Sequence, residues 1–254
     1  KSGGTLYYST AGTGAWTICG NGTWNAAGTP TFAVGWDNGT VGTTDVMLVA
    51  AGVGTIRHSA NGTSFTNTSG APSIAVSLAE FNGRIYAAGS TSYLFWSNFA
   101  TVTDWTNDSS SVLIPGAGRP ASLFKSADKL INAKNTGNMF SWDGFNVADL
   151  ATDFGPTSQQ SIAAIEDYRM FLNRRGFFGF GGARPEVLSN AIERQIYNDA
   201  GEGIIGTTFD NAPAVTHNYK YYCSVGTVTD DLTDETIPNA IDVYDFQQNE
   251  WGNY

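Results

Sequence analysis

Short hydrophobic, strand-like runs set between polar turns recur along this chain about every 40 residues. Residues 47–52 form one run, residues 56–59 form a second that ends in a serine, and the pair Phe65-Thr66 follows. The same succession returns further along, at residues 85–89, residues 94–97 and Trp105-Thr106. The sequence starts with only the second half of this repeat, at residues 6–9 and Trp16-Thr17. A repeat of this length indicates one supersecondary unit used several times.

Each full repeat is predicted to hold four strands. The first strands are expected at residues 31–35, 73–79, 120–125, 160–165 and 212–216. The second strands follow a tight turn, for which Asn82-Gly83 is the strongest signal, and are expected at residues 45–51, 84–88, 129–133, 168–173 and 220–225. The third strands end near a small polar residue, at Ser9, Ser59, Ser97 and Ser141, and more loosely at residues 177–180 and 243–245. The fourth strands are expected to hold Trp16, Phe65, Trp105, Val147 and Trp251.

Four antiparallel strands in roughly 40 to 50 residues is the period of a β-propeller blade. The sequence therefore predicts an all-β chain that forms one β-propeller domain of four-stranded blades over residues 1–254. Six blades are expected, with five as the alternative if residues 6–19 complete the last sheet. The repeats lie at residues 1–20 (partial), 30–67, 73–107, 119–150, 159–198 and 211–254. Apolar positions approach helical spacing in residues 185–197, which are predicted as an insertion in the fifth repeat.

Composition and charge narrow the class of partner. The 254 residues are 41% hydrophobic and 14% charged, with a formal net charge of −10 and a pI of about 4.5. Such an acidic surface repels phosphate groups, so neither nucleic acid nor an anionic membrane is an expected partner. No apolar run reaches the ~18 residues that cross a bilayer, so membrane insertion is not expected, and no signal peptide is visible.

Two cysteines, Cys19 and Cys223, lie far apart in the sequence. A disulfide between them would join the first repeat to the last. The favoured interpretation is two small buried residues in strands.

Two predicted outer hairpins resemble Asp-box hairpins, which occur in sialidases and in many non-enzymatic propellers. They are residues 8–17 and residues 58–66, each with a serine near its start and an aromatic-threonine pair at its end. Ala11 and Asn61 stand where the motif has aspartate, and the second hairpin is one residue short. The resemblance supports a hairpin and implies no particular chemistry.

The middle of the chain resembles propeller-type structural proteins of tailed bacteriophages, from the tail and its connection to the head. The segments that carry this resemblance are residues 120–124, 130–135, 139–144, 155–162, 169–176 and 181–189. The similarity covers roughly residues 82–196 and contains no catalytic motif. It implies a virion component, placed in the virion or outside the cell, that has no enzymatic turnover.

The residues themselves do not predict an enzyme. A sialidase needs a cluster of arginines that grips a carboxylate, and the eight arginines do not occupy equivalent positions in the repeats. His58 and His217 are far apart in sequence and in repeat position, and no Gly-x-Ser-x-Gly elbow is present. Walker loops and zinc-spaced cysteines or histidines are also lacking.

Calcium is the one metal that the sequence suggests, and no other cofactor is expected. Four carboxylates crowd one acidic segment, namely Asp230, Asp231, Asp234 and Glu235. Hard oxygen ligands at this density can hold Ca²⁺, although their spacing is not that of a known calcium loop.

Sugar binding is the alternative to a scaffold role. Sugars stack on exposed aromatic rings while polar neighbours take the hydroxyls. The candidates near predicted turns are Trp36 with Asp37 and Asn38, Trp142 with Asp143, and Trp24. The leading hypothesis remains a non-catalytic propeller that is a structural or docking part of a phage virion, with other virion proteins or surface glycans as partners. A carbohydrate-binding lectin or adhesin comes second and a glycoside hydrolase last.

Overall fold

Alternating burial defines the strands of this structure, and β3 (Thr31–Asp37) shows it most clearly, because every second residue is buried. The computed structural model describes residues 6–9, 17–20, 30–39, 44–52, 54–89, 91–106, 110–192, 212–229 and 236–253. The chain divides into two units, Lys1–Lys125 and Ser126–Tyr254. Among the described residues there is no helix of the length and apolar character that crossing a membrane requires.

The first unit begins with three antiparallel sheets. The first sheet is a hairpin of β1 (Tyr7–Tyr8) and β2 (Thr17–Ile18). The second sheet consists of β3, β4 (Thr44–Ala50), β5 (Arg57–Ser59) and β6 (Thr66–Asn67). The third sheet consists of β7 (Ala75–Phe81), β8 (Arg84–Gly89), β9 (Tyr93–Trp96) and β10 (Ser110–Leu113).

Three further four-stranded sheets follow. The fourth consists of β11 (Pro120–Ser126), β12 (Lys129–Lys134), β13 (Met139–Trp142) and β14 (Val147–Ala151). The fifth consists of β15 (Ala163–Ile165), β16 (Tyr168–Asn173), β17 (Gly176–Phe180) and β18 (Pro185–Val187). The sixth consists of β19 (Ala214–His217), β20 (Lys220–Thr229), β21 (Thr236–Asp245) and β22 (Glu250–Asn253). Within each of the five larger sheets the strands are hydrogen-bonded in the order of the sequence.

The all-β class and the six successive sheets agree with the prediction, and most predicted strands are found within a few residues of their expected bounds. Local signals explain this agreement. At the predicted hairpin turn, Asn82 and Gly83 both have positive φ values, of 49° and 72°, as a two-residue turn between twisted strands requires.

Turns between third and fourth strands use the same chemistry in three sheets. Asn61 accepts hydrogen bonds from the N–H groups of Thr63 and Ser64 at 3.0 and 3.3 Å. Asp143 and Asp245 likewise accept from the N–H groups two and three residues further on. These short polar side chains replace backbone partners in the turn, which explains their recurrence without a ligand.

Two strand predictions were wrong. Trp105 is not in the fourth strand of its sheet, which is β10. It lies in the preceding segment, where its ring is buried in the core of the first unit and its Nε1 donates to the Val102 carbonyl at 3.1 Å. Residues 185–187, predicted to begin a helical insertion, instead form β18, which pairs with β17 as the fourth strand of the fifth sheet. A 3-10 turn, Ser189–Ile192, follows β18. The rest of the predicted insertion, residues 193–197, lies outside the described residues, as does Trp16.

The core of the second unit is aromatic. Phe177 packs edge-on against Tyr221 and lies 4.6 Å from Trp251, measured between ring centroids. The polar atoms of two of these rings have hydrogen-bond partners. The Tyr221 hydroxyl donates to the Ser161 carbonyl and Trp251 Nε1 donates to the Leu188 carbonyl, each at 2.7 Å. Burying such rings with their polar atoms bonded stabilises the fifth and sixth sheets together.

Both cysteines are buried free thiols, as the favoured interpretation expected, although only Cys223 lies within a strand. Cys19 follows β2, and Cys223 lies in β20 opposite Asp242 of β21. Burial raises the pKa of Cys19 and raises that of Cys223 to about 12, so neither is a thiolate at neutral pH.

Candidate functional site

Three large apolar side chains are exposed in a row on β3. Phe32, Val34 and Trp36 are 48%, 54% and 47% exposed, and strand alternation places all three on one face of the second sheet. We call this row the apolar stripe. An ordered patch of this kind on a rigid strand is typical of a surface that contacts a partner.

On the same face of the sheet, the neighbouring strand β4 is covered by the β1–β2 hairpin. Met47 and Val49 of β4 lie opposite Val34 and Phe32 and therefore share their face. They pack in a cluster that includes Leu6, Tyr8, Cys19 and Phe65, and thus against the β1–β2 hairpin. The β1–β2 hairpin therefore covers this face of the sheet at β4, and it leaves the apolar stripe on the neighbouring strand β3 exposed.

The opposite face of β3 is closely packed, which fixes the position of the stripe. Ala33 lies in one core cluster with Ile85 and Ala87 of the third sheet. A Cβ added to Gly35 would lie 2.9 Å from Val102 Cγ1 and 3.0 Å from Ile85 Cδ1. Only glycine fits at this approach, so the strand is held against the third sheet along its length.

Asp37 anchors the end of β3 to the third sheet. Its carboxylate is buried, and Oδ2 accepts hydrogen bonds from the backbone N–H of Thr103 at 2.9 Å and from the Thr103 hydroxyl at 2.5 Å. Its other oxygen, Oδ1, accepts from the N–H of Gly39 at 2.9 Å. Charge-assisted bonds of this kind are about twice as strong as neutral ones.

Asn38 takes part in the same attachment. Its backbone N–H donates to the Ala100 carbonyl at 3.0 Å, and its Oδ1 accepts from the Thr101 hydroxyl at 3.1 Å. The two polar neighbours that sequence reasoning assigned to sugar hydroxyls are therefore both bonded within the protein, while Trp36 beside them is half exposed.

Trp142 and Asp143 are not arranged as a stacking site. Trp142 is only 5% exposed, and all four residues of β13 are buried, so its ring offers no face to a sugar. Asp143 is used in the turn, where the N–H groups of Asn146 and Phe145 lower the pKa of its carboxyl. The two candidate tryptophans therefore differ in exposure, because Trp142 is buried whereas Trp36 is half exposed.

The remaining predicted site residues cannot be placed. Trp24 and the four carboxylates Asp230, Asp231, Asp234 and Glu235 lie outside the described residues. In the part of the chain that is described, no group of three or more histidine, cysteine, aspartate or glutamate side chains is placed to hold a metal ion.

His58 has a structural environment. Its Nδ1 lies 3.2 Å from the Thr68 hydroxyl and its Nε2 lies 3.0 Å from the Thr66 hydroxyl. Burial lowers the pKa of the imidazole, although the negative charge of Asp37 acts in the opposite direction. The neutral ring therefore joins neighbouring strands and turns, as expected for a strand residue beside Ser59.

Sequence reasoning identified Trp36 but missed Phe32 and Val34. The signal was present, because residues 31–37 alternate and place large apolar residues at every second position. A separate apolar cavity of about 220 Å³ lies at one end of the third sheet, where its lining includes Pro72, Ile74 and Phe95. The residues that line it include no charged side chain.

Comparison with known proteins gives similarities in structure only. No protein-family model and no curated protein sequence matches this chain. Among solved structures, YCF48 bound to D1 peptide has a TM-score of 0.54 and 11% identity, over 89% of this chain and 69% of that one. The WD40 propeller domain of Doa1 (TM-score 0.48, 11% identity, 82% and 77% covered) and the computationally designed protein Ika8 (0.49, 10%, 99% and 81%) are also similar.

The similarity to YCF48 extends to the fold alone, because the identity is so low. Together with six successive antiparallel sheets, it confirms the predicted β-propeller class, and the six sheets correspond to six blades.

Proposed function

We propose that this chain is a non-catalytic docking propeller of a tailed-phage virion, and that the apolar stripe on the second blade contacts a neighbouring virion protein. The observation that carries the proposal is the exposure of Phe32, Val34 and Trp36 on a blade face whose outer half is already covered. Apolar area of this kind is stabilised by removal from water, and a partner surface supplies that removal.

The polar surroundings of the stripe favour protein docking over sugar binding. A sugar site needs free hydrogen-bonding groups beside the stacking ring. Asp37 and Asn38, which adjoin Trp36, instead hold the loop that contains Ala100 and Thr103. The Asp37 carboxylate and the Asn38 Oδ1 atom therefore already accept hydrogen bonds within the protein, which leaves them less free to orient sugar hydroxyls.

The virion setting rests on a different observation, the resemblance of residues 82–196 to phage propeller proteins. The absence of turnover is supported by the environments of two groups that could do chemistry. Asp37 is enclosed by its hydrogen bonds, and His58 lies between two threonine hydroxyls. Both groups thus already have hydrogen-bond partners within the protein.

Val34→Lys tests the docking role. A lysine in the middle of the stripe places a charge in the apolar contact, so we expect the amount of this chain incorporated into purified virions to fall at least about tenfold. Val215→Lys is the matched control, because Val215 is 60% exposed and also lies on the first strand of a blade. Both variants should keep the urea midpoint of the parent, and equal incorporation of the two would contradict the proposal.

A second candidate, carbohydrate binding, is favoured by the half-exposed ring of Trp36. If sugars stack there, a glycan array should show binding by the parent chain that Trp36→Ala reduces by roughly tenfold or more, while Trp142→Ala affects folding alone. An array on which the parent shows no binding leaves protein docking as the function of the stripe.

A further inference from the structure

The cavity at one end of the third sheet is a recess with a buried floor. It lies wholly within the first unit and has a volume of about 220 Å³. Ala75, Ala87 and Ala88 line it and are all buried, whereas Ser73 and Thr91 line it and are exposed. The cavity is therefore closed by the strands on one side and open to solvent on the other.

Small residues at the end of β8 leave this space. Ala87, Ala88 and Gly89 follow one another there, and each carries a methyl group or no side chain. Gly89 can be no larger, because a Cβ at this position would overlap the carbonyl oxygen of Ile74. The end of β8 and the segment that leads into β7 therefore meet closely at the cavity.

Backbone bonds to the second sheet hold the segment before β7 in place. The Ala75 carbonyl accepts a hydrogen bond from the N–H of Gly52 at 2.8 Å, and Ile74 forms a parallel bridge with Gly54. Pro72 restricts the backbone at the start of the segment. Walls that are fixed in this way lose little conformational entropy when a ligand binds.

The lining is suited to an uncharged ligand. It includes the ring of Phe95 and the side chains of Pro72 and Ile74, and none of the described residues that line it carries a charge. Its two hydroxyl side chains, Ser73 and Thr91, are on the exposed side. An ion that entered the cavity would lose hydration and find no opposite charge there, so charged ligands are disfavoured.

The volume sets the size of the ligand. An engineered apolar cavity of about 150 Å³ binds benzene, so a cavity of about 220 Å³ has room for a somewhat larger ring system. The ring of Phe95 favours an aromatic ligand, because aromatic pairs gain from edge-to-face or offset contacts beyond the area that they bury.

We propose that this cavity binds a small, uncharged aromatic molecule of about the size of indole. The inference goes beyond the proposed docking function, because it concerns another class of ligand and no residue of the apolar stripe lines the cavity.

Titration of the full chain with indole, followed by NMR of its methyl groups, tests the proposal. We expect saturable binding with a Kd of about 1 mM or lower, and shifts of the methyl signals of Ile74, Ala87 and Ala88. Benzoate and benzylammonium are the matched probes, because they are similar in size to indole and carry opposite charges. Neither should shift these signals saturably, whatever the effect of the net charge of the chain. No indole binding at these methyl groups, or equal binding of a charged probe, overturns the proposal.

Substitutions in the lining provide the second test. Ala88→Leu fills the cavity and should weaken indole binding at least about tenfold. Phe95→Leu keeps the lining apolar but removes its ring, so it should weaken binding about fivefold. Phe99→Leu is the matched control, because Phe99 is 61% exposed and does not line the cavity, and it should leave the affinity unchanged.

The outcomes of these substitutions are decisive whether or not every variant folds. Urea midpoints establish which variants are folded. Parent-like affinity of folded Ala88→Leu overturns the proposal, and so do equal effects of Phe95→Leu and Phe99→Leu. Val34→Lys should bind indole as the parent does, so a failure of the docking function and a failure of this inference are read independently.

Discussion

Asp37→Ala should lower the free energy of unfolding by about 4 kcal/mol, the largest effect that we expect from a single substitution in the first unit. The buried carboxylate accepts hydrogen bonds from the N–H and the hydroxyl of Thr103 and from the N–H of Gly39. Alanine removes this acceptor and leaves the buried Thr103 donors without it. Urea unfolding followed by far-UV circular dichroism measures the change.

Two controls locate the cause of that loss. Asp143→Ala also removes a carboxylate that accepts backbone N–H groups, but in an exposed turn, so it should cost much less than Asp37→Ala. Thr103→Val removes the hydroxyl and keeps the backbone donor, and it should cost about half as much as Asp37→Ala. An unfolding midpoint for Asp37→Ala close to that of Asp143→Ala would show that the anchor contributes little.

Asp242→Asn should stabilise the chain at neutral pH by about 3 kcal/mol, the second large effect. Asp242 is buried on β21 opposite Cys223, and burial raises the pKa of its carboxyl to about 6, from 3.8. The folded state therefore binds a proton more tightly than the unfolded state does. As the pH rises through the window from about 4 to about 6, this carboxyl makes the folded parent progressively less stable.

The pH dependence distinguishes this effect from a change in packing. The stability of Asp242→Asn relative to the parent should be near zero at about pH 4 and should rise to its full value above about pH 6. Asp245→Asn is a control that should change stability in the opposite direction. A hydrogen bond from Lys220 lowers the pKa of Asp245, so its carboxylate stabilises the fold above its unfolded pKa, and asparagine should remove that stabilisation. A difference between parent and Asp242→Asn that is constant from pH 4 to pH 8 would show that charge is not its cause.

The fold was predictable wherever local chemistry determines it. The Asn82-Gly83 turn fixed the register of β7 and β8, and the second strand predicted at residues 168–173 has the same bounds as β16. The failures came where tertiary contacts decide. Val187 and Leu188 belong to a set near helical spacing, yet Val187 pairs with β17 as part of β18. Trp105 was assigned to a strand, yet it is buried in a core whose other members include Ala33 and Val46, far away in the sequence.

The candidate site was predictable only in part, for the same reason. Trp36 could be identified because an aromatic residue near a strand end stands out in the sequence. The role of Asp37 could not, since its partner Thr103 is 66 residues further along the chain. Trp142 resembles Trp36 in sequence context, but both faces of β13 are buried, and burial of that kind is a property of neighbouring strands.

The hydrogen bonding of each large sheet in sequence order has a consequence for how the chain is made. Every such sheet comes from one continuous stretch, so its strands can pair as soon as that stretch leaves the ribosome, without waiting for distant residues. The second blade can then form before the third to sixth blades are translated, with Phe32, Val34 and Trp36 on its surface. We expect a nascent chain released after about residue 120 to hold the stripe in its final conformation already. A partner that recognises the stripe can then bind during translation, and assembly can begin before the polypeptide is complete.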